Sequence, residues 1–169
     1  TNAASASITS GIDSTYGEYI FGFYNINPAT DSVSFSFQAN VAGESGYNET
    51  MTTTDFSSMI SEVDDYGAVG YQTPGDQAQG TAFQILWEEG GNDTDESGAG
   101  TLHLFNPSST TYAKHFYSRS HVYVEAGGKN YSKDQFTAGY FNVTGAIDEI
   151  QFKMSSGNFD GTIKMWGVK

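Results

Sequence analysis

The chain has 169 residues, enough for one domain with a sizeable apolar core. It contains no cysteine, which excludes a disulfide scaffold, cysteine–zinc sites, iron–sulfur clusters and thiol catalysis. The net charge of −13 leaves no basic stripe for nucleic acid or an anionic membrane surface, and no apolar run is long enough to cross a membrane as a helix.

The remaining composition points to sheet. Twenty glycines, 36 serines and threonines, and aromatics at 15% describe strands and turns, while strong helix formers are scarce. Charge is uneven: residues 1–113 carry −15 and residues 114–169 carry +2. A head-to-tail polarity that helps subunits associate fits this split. A plain solvated acidic surface fits it as well.

In chain order, residues 4–12 read as a strand of small residues. Tyr19, Phe21 and Phe23 then alternate with Glu18, Ile20, Gly22 and Tyr24, a half-buried strand. Asn27-Pro28-Ala29-Thr30-Asp31 turns the chain into a second such strand, with Val33, Phe35 and Phe37 inward. Residues 50–59 fit a strand, but 56–63 fit equally a short helix opened by Asp55 as its N-cap. Residues 64–80 read as loop, 81–87 as a strand, and 88–98 as an acidic, Gly-rich loop. Residues 101–105 form a strand closed by Asn106-Pro107-Ser108-Ser109.

The longest extended stretch is 112–125, with Lys114, Phe116, Ser118, Ser120, Val122 and Val124 on one face and His115, Tyr117, Arg119, His121 and Tyr123 on the other. After a Gly-Gly turn, strands are expected at 135–142, 147–154 and 162–168. The last two are read as a hairpin around Gly157-Asn158-Phe159-Asp160-Gly161. Nine or ten short strands with no linker or repeat predict one all-β domain over 1–169, a jelly-roll-like two-sheet antiparallel β-sandwich.

Candidate chemistry is sparse. Asp93-Thr94-Asp95-Glu96-Ser97-Gly98 matches the first half of an EF-hand loop, but Leu104 stands where the bidentate Glu belongs. A looser calcium loop using Asp93, Asp95 and Glu96 is the one cofactor expectation. His115 and His121 lie six residues apart on one strand, about 20 Å by strand rise, too far to share a metal. Glu88 and Glu89 are adjacent and point to opposite faces, not the facing carboxylates of a glycosidase. No nucleophile elbow, P-loop or dinucleotide motif occurs, so no enzyme is expected.

Twenty-five aromatic residues exceed the needs of one small core and imply interfaces. Trp87 and Tyr131 are candidate sugar-stacking residues. Phe116 and Tyr123, with Phe159 and Trp166 of the closing strands, are candidate contacts of a homo-oligomer, expected to be a trimer.

Three stretches carry a family resemblance. They are 76–83, opening Asp76-Gln77-Ala78-Gln79-Gly80; 102–116, containing Asn106-Pro107-Ser108-Ser109-Thr110-Thr111-Tyr112; and 150–158, ending Ser155-Ser156-Gly157-Asn158 and continuing through Ile163-Lys164-Met165-Trp166. Over nearly its whole length the chain resembles a family of small structural proteins of marine tailed bacteriophages. The closing segment is similar to those of phage tail and fibre modules. The resemblance implies a virion component without catalytic residues, exposed on the extracellular particle as a capsid decoration protein or a tail-fibre or tail-tip appendage. Its partners would be its own copies and other virion proteins. The alternative is a lectin-like module for host surface glycans, calcium-dependent through the acidic loop.

Overall fold

A computed structural model describes residues 2–169. Its strands are β1 (Ser5–Ile8), β2 (Glu18–Pro28), β3 (Val33–Val41), β4 (Met51–Ser61), β5 (Gly67–Tyr71), β6 (Gln77–Gly80), β7 (Gln84–Gly90), β8 (Gly98–Phe105), β9 (Lys114–Ala126), β10 (Lys129–Phe141), β11 (Ile147–Met154) and β12 (Phe159–Val168). No α-helix occurs among the described residues. The smaller sheet has the order β1-β11-β3-β7. The larger runs β12-β2-β8-β9-β10-β4-β5, with β6 also paired to β4. Every pairing is antiparallel, and the two sheets pack as an all-β sandwich.

The connectivity follows a rolled hairpin. β2 pairs β12 in the larger sheet, β3 pairs β11 in the smaller one, and β4 pairs β10 in the larger one again. Nested pairs that alternate between sheets are the mark of a jelly roll. Here β8 and β9 are inserted between β2 and β10, which widens one sheet to twice the strand number of the other.

Alternation set by the pleat decides which residues enter the core. Phe21 and Phe23 of β2, Phe35 and Phe37 of β3, Trp87 of β7, Phe116 of β9, Phe141 of β10 and Phe152 of β11 converge between the sheets. Phe35 lies at the centre. Its ring stacks on Trp87 at 4.5 Å and meets Phe23, Phe152 and Phe159 at 5.4, 5.9 and 5.6 Å. Gly98 is required beside Trp87, because a Cβ there would sit 2.6 Å from the indole ring.

Four sequence expectations change. The N-terminal strand is confined to β1, since only those residues pair with β11. Residues 56–63 are not a helix: β4 is paired along its length with β10, and Asp55 points inward between the sheets instead of capping. The expected loop at 64–80 holds β5 and β6. Both pair only with β4, and β5 is exposed on both faces, so no alternation marks it. The closing segment is not a hairpin. β11 lies in the smaller sheet and β12 in the larger, so residues 155–158 cross from one sheet to the other. By contrast, β9 and β10 are joined by a true two-residue hairpin turn, Gly127-Gly128, both with positive φ as a type I′ turn needs.

Replacing Phe35 by Ala removes the ring shared by four neighbours, with no exposed route for repacking. We expect a loss of about 3–5 kcal/mol, read as a lower urea midpoint with an unchanged m-value.

Candidate functional site

The structure separates the proposed site residues. Trp87 is fully buried and stacked on Phe35, so its ring faces no sugar. Tyr131 is half-buried at the start of β10, edge-on to Tyr66 at 6.2 Å. Phe116 and Phe159 are core residues, because both point between the sheets. Tyr123 and Trp166 of the same group do lie on the outer face of the larger sheet. Trp166 is 44% exposed and meets Tyr24 with ring centroids 6.5 Å apart.

The three carboxylates of the acidic loop point in different directions. Asp93 and Asp95 are exposed, whereas Glu96 turns inward and accepts the backbone N–H of Asp93 at 2.9 Å. Burial pushes the Glu96 carboxyl above its ordinary range. The Asn27 amide donates to the Glu96 and Asp93 carbonyls and ties the loop to β2. No group of three potential metal ligands forms among the described residues.

What the strands do assemble is an aromatic face. Residues opposite one another in register share a face of a sheet. One row across the outer face of the larger sheet therefore reads Lys164, Gly22, Thr101, Arg119, Phe136, Phe56 and Tyr71. Phe56 and Phe136 stack at 4.8 Å and 5°. The Arg119 guanidinium lies 5.0 Å over the Phe136 ring and donates to Asp134 from Nε and Nη2, the latter at 2.8 Å. Asp134 holds the Arg119 pKa above its usual value. One row along, His103 stacks on Tyr117 at 4.5 Å, and its Nδ1 is hydrogen-bonded to Glu18 at 2.6 Å. The next row brings Phe105, His115 and Tyr140 together.

In the row between, β10 and β4 carry only Ala138 and Thr54, while β9 carries Tyr117. The result is a groove of two adjoining hollows, about 470 and 340 Å³, which share Thr54, Tyr117 and Ala138. Alternation along 112–125 puts Tyr117 and Arg119 on one shared face but does not say which face is the core. The stacking of Phe56 on Phe136 is not legible in the sequence, because 56–63 fits a helix as well as a strand and the register that sets Phe56 opposite Phe136 belongs to two strands at once.

A second polar cluster lies beneath, between the sheets. Asp55 is fully buried. Its Oδ2 accepts from Gln135 Nε2 at 2.9 Å and Thr137 Oγ1 at 3.2 Å, while Oδ1 has no partner. Burial pushes the Asp55 carboxyl up to about 6, against the lowering effect of those two donors. Glu88 raises it further and Lys133 lowers it. Lys133 is buried too and pairs with Glu88 at 3.5 Å and Glu89 at 3.2 Å. Gly75 closes over Asp55, since a Cβ there would lie 2.5 Å from the carboxylate. Asp55 is thus sealed from substrates and acts as part of the packing.

The chain matches no protein-family model, no curated protein and no solved structure. The aromatic groove is therefore the feature from which function must be argued.

Asp55 makes stability depend on pH. Its folded pKa exceeds the unfolded value of 3.8, so between about pH 4 and about pH 6 the folded chain keeps a proton that the unfolded chain releases. Stability from this group is present below that window and lost as pH rises through it. Asp55→Asn carries no such titration. The stability of the variant relative to the parent should rise by about 2 kcal/mol between pH 4 and pH 7, and denaturant melts at both pH values would read it. A pH-independent difference would show that Asp55 titrates normally.

Proposed function

We propose that the chain is a non-enzymatic structural protein of a tailed-phage particle, displayed on its surface and acting by contact. The observation that carries this reading is the exposed aromatic face of the larger sheet. Tyr24, Phe56, Tyr71, Tyr117 and Trp166 are each between 44% and 56% exposed. Apolar side chains gathered on one sheet face mark a contact surface.

The resemblance to marine phage structural proteins supports the particle assignment. Two of the stretches that carry it build this face. Residues 102–116 supply His103, Phe105 and His115, and the closing stretch supplies Lys164 and Trp166 of β12. β12 is one edge of the larger sheet, and Trp166 and Tyr24 stand together there. That edge suits contact between copies, and a trimer is the assembly proposed. On a particle bearing many copies, weak individual contacts combine into strong attachment.

Capsid decoration and a tail appendage are the two sites this reading allows, and cryo-electron microscopy of intact particles separates them. We expect ordered density for this sandwich on the head lattice or at the tail, with the β12 edge at the contact between copies. Particles that lack the protein would overturn the reading.

A further inference from the structure

We propose that residues 62–80 form a flap held shut by a proton on Asp55, and that the flap lifts locally when the proton leaves. The device is independent of where the chain is displayed. Three features of the polar half of the sandwich carry it.

The flap has no apolar anchor. Across residues 62–80 only Gly75 is buried, and Val63 and Val69 are 69% and 76% exposed. Polar contacts tie the segment down instead. Besides the ladders to β4, Gln72 donates its backbone N–H to the Asp55 carbonyl at 2.9 Å and its side chain to Ser57 at 2.8 Å. Gln84 donates to the Gly75 carbonyl at 2.6 Å and accepts from Gln77 at 3.1 Å. Lys129 pairs with Asp65 at the β4–β5 turn. Water can replace every one of these bonds, so opening exposes little apolar surface, the mark of a locally unstable segment.

The flap closes directly on a carboxyl group that lacks a donor. Gly75 packs against Asp55 so closely that a Cβ would sit 2.5 Å from Oδ2. Gln135 Nε2 donates to that same Oδ2 at 2.9 Å. The atoms left over are the second arm of each group, Asp55 Oδ1 and Gln135 Oε1, both buried and both without a partner. As carboxylate and amide oxygens, both are acceptors. A proton makes Oδ1 a donor, with the free Gln135 oxygen as an acceptor on the same partner, and an acid and an amide then pair through both arms. Without the proton, an anionic oxygen stays unsatisfied in the interior, which is costly.

The surroundings do not neutralise the anion. From β10, Lys133 favours ionisation, but it is engaged by Glu88 at 3.5 Å and Glu89 at 3.2 Å. From β7, Glu88 opposes ionisation. On the flap side stand Asp76 and Tyr71, hydrogen-bonded to each other at 2.6 Å, and no cation. Burial is the largest influence, and it pushes the Asp55 carboxyl up to about 6. Lifting the flap lets water reach the carboxylate and removes that penalty.

Opening also has a structural consequence. β5 and β6 cover the edge of β4, a strand of 11 residues. An unpaired edge of that length is a template for another strand. Acid therefore keeps the edge covered, and neutral pH frees it in a larger fraction of molecules.

The test is amide hydrogen exchange by NMR on the labelled full chain at pH 4 and pH 7, without and with urea below the unfolding transition. Protection is taken relative to each amide's unprotected rate at the same pH. With a carboxyl at 3.8 in the open state and about 6 in the closed one, protection of β5, β6 and Gln72 should fall roughly fifty-fold from pH 4 to pH 7. Their exchange should depend on urea far less than that of the core strand β3, because local opening exposes little surface. Asp55→Asn places an amide N–H where the acid carries its O–H. It should hold the flap at pH 7 as the parent does at pH 4, and leave the pH dependence flat.

Three results would overturn the proposal. Flap protection could be equal at both pH values. Flap amides could share the urea dependence of β3, which would make the opening global unfolding. Asp55→Asn could fold and keep the full pH dependence, which would give the effect to another group. The first two need only the parent chain, so a variant that fails to fold does not block the test.

Discussion

A four-stranded sheet cannot cover an eight-stranded one, and much of this molecule follows from that mismatch. The smaller sheet brings its aromatic residues over β2, β8 and part of β9, and there the ring cluster around Phe35 excludes water. Farther across the larger sheet, the inner positions of β10 and β4 change character. Lys133, Gln135, Thr137, Thr53, Asp55 and Ser57 are all buried, and all are polar. Burying such groups is tolerable only when they are hydrogen-bonded. β7 and the segment before it supply the partners. Gln84 accepts from Thr53 at 2.8 Å and donates to the Gly75 carbonyl at 2.6 Å, and Glu88 and Glu89 meet Lys133. The sandwich thus has an aromatic half and a polar half, joined by β7, which contributes Trp87 to one and Gln84 and Glu88 to the other.

The paired crossings between sheets hold the aromatic half in register. β2 passes to β3 at one corner, and β11 passes to β12 beside it. Ala29 donates its N–H to the Asn158 carbonyl, so the two corners are hydrogen-bonded to each other. Phe159 enters the core at this point, against Phe35, and Ala3 bridges to it from the N-terminal segment. Gly157 and Gly161 have positive φ on either side of that ring. They let the chain turn sharply enough to bury Phe159 and then pair with β2.

Strands with one wet and one dry face were legible, and those without that contrast were not. Phe21 and Phe23, Phe35 and Phe37, and the alternation along β9 sort correctly, because a period of two separates their faces. β5 has no buried face, so its sequence carries no period to detect. β4 failed for the opposite reason. Its inner face bears Thr53, Asp55 and Ser57, which look like solvent-facing residues until their partners on β10 and β7 are known. Trp87 misled because a large amphipathic ring is equally at home stacked on a sugar or in a core. Its strand neighbour Leu86 is just as fully buried, so β7 is enclosed on both faces at that point and the pattern gave no side to choose. The aromatic groove could not be seen from one strand, since its walls and floor come from β4, β9 and β10. Only cross-strand register brings Phe56 opposite Phe136.

The polar half and the outer groove are two sides of the same residues. On β10, Gln135 and Thr137 point inward to Asp55, and Phe136 and Ala138 between and beside them point outward to the groove. On β4, Asp55 points inward and its neighbours Thr54 and Phe56 line the groove. Hydrogen bonds beneath the sheet therefore fix the backbone from which the rings project. An apolar interior would bury these strands as well, but apolar contacts are non-directional, and a strand held by them alone has a weaker hold on register. A directional network joins one carboxylate to two side chains of the next strand and leaves little freedom for slippage. A flat ring pair at 4.8 Å and 5° needs that constancy of register, because a one-residue slip between β4 and β10 would send Phe56 to the face opposite Phe136. The polar interior thus serves the outer surface: its hydrogen bonds fix the register of the two strands from which the stacked ring pair projects.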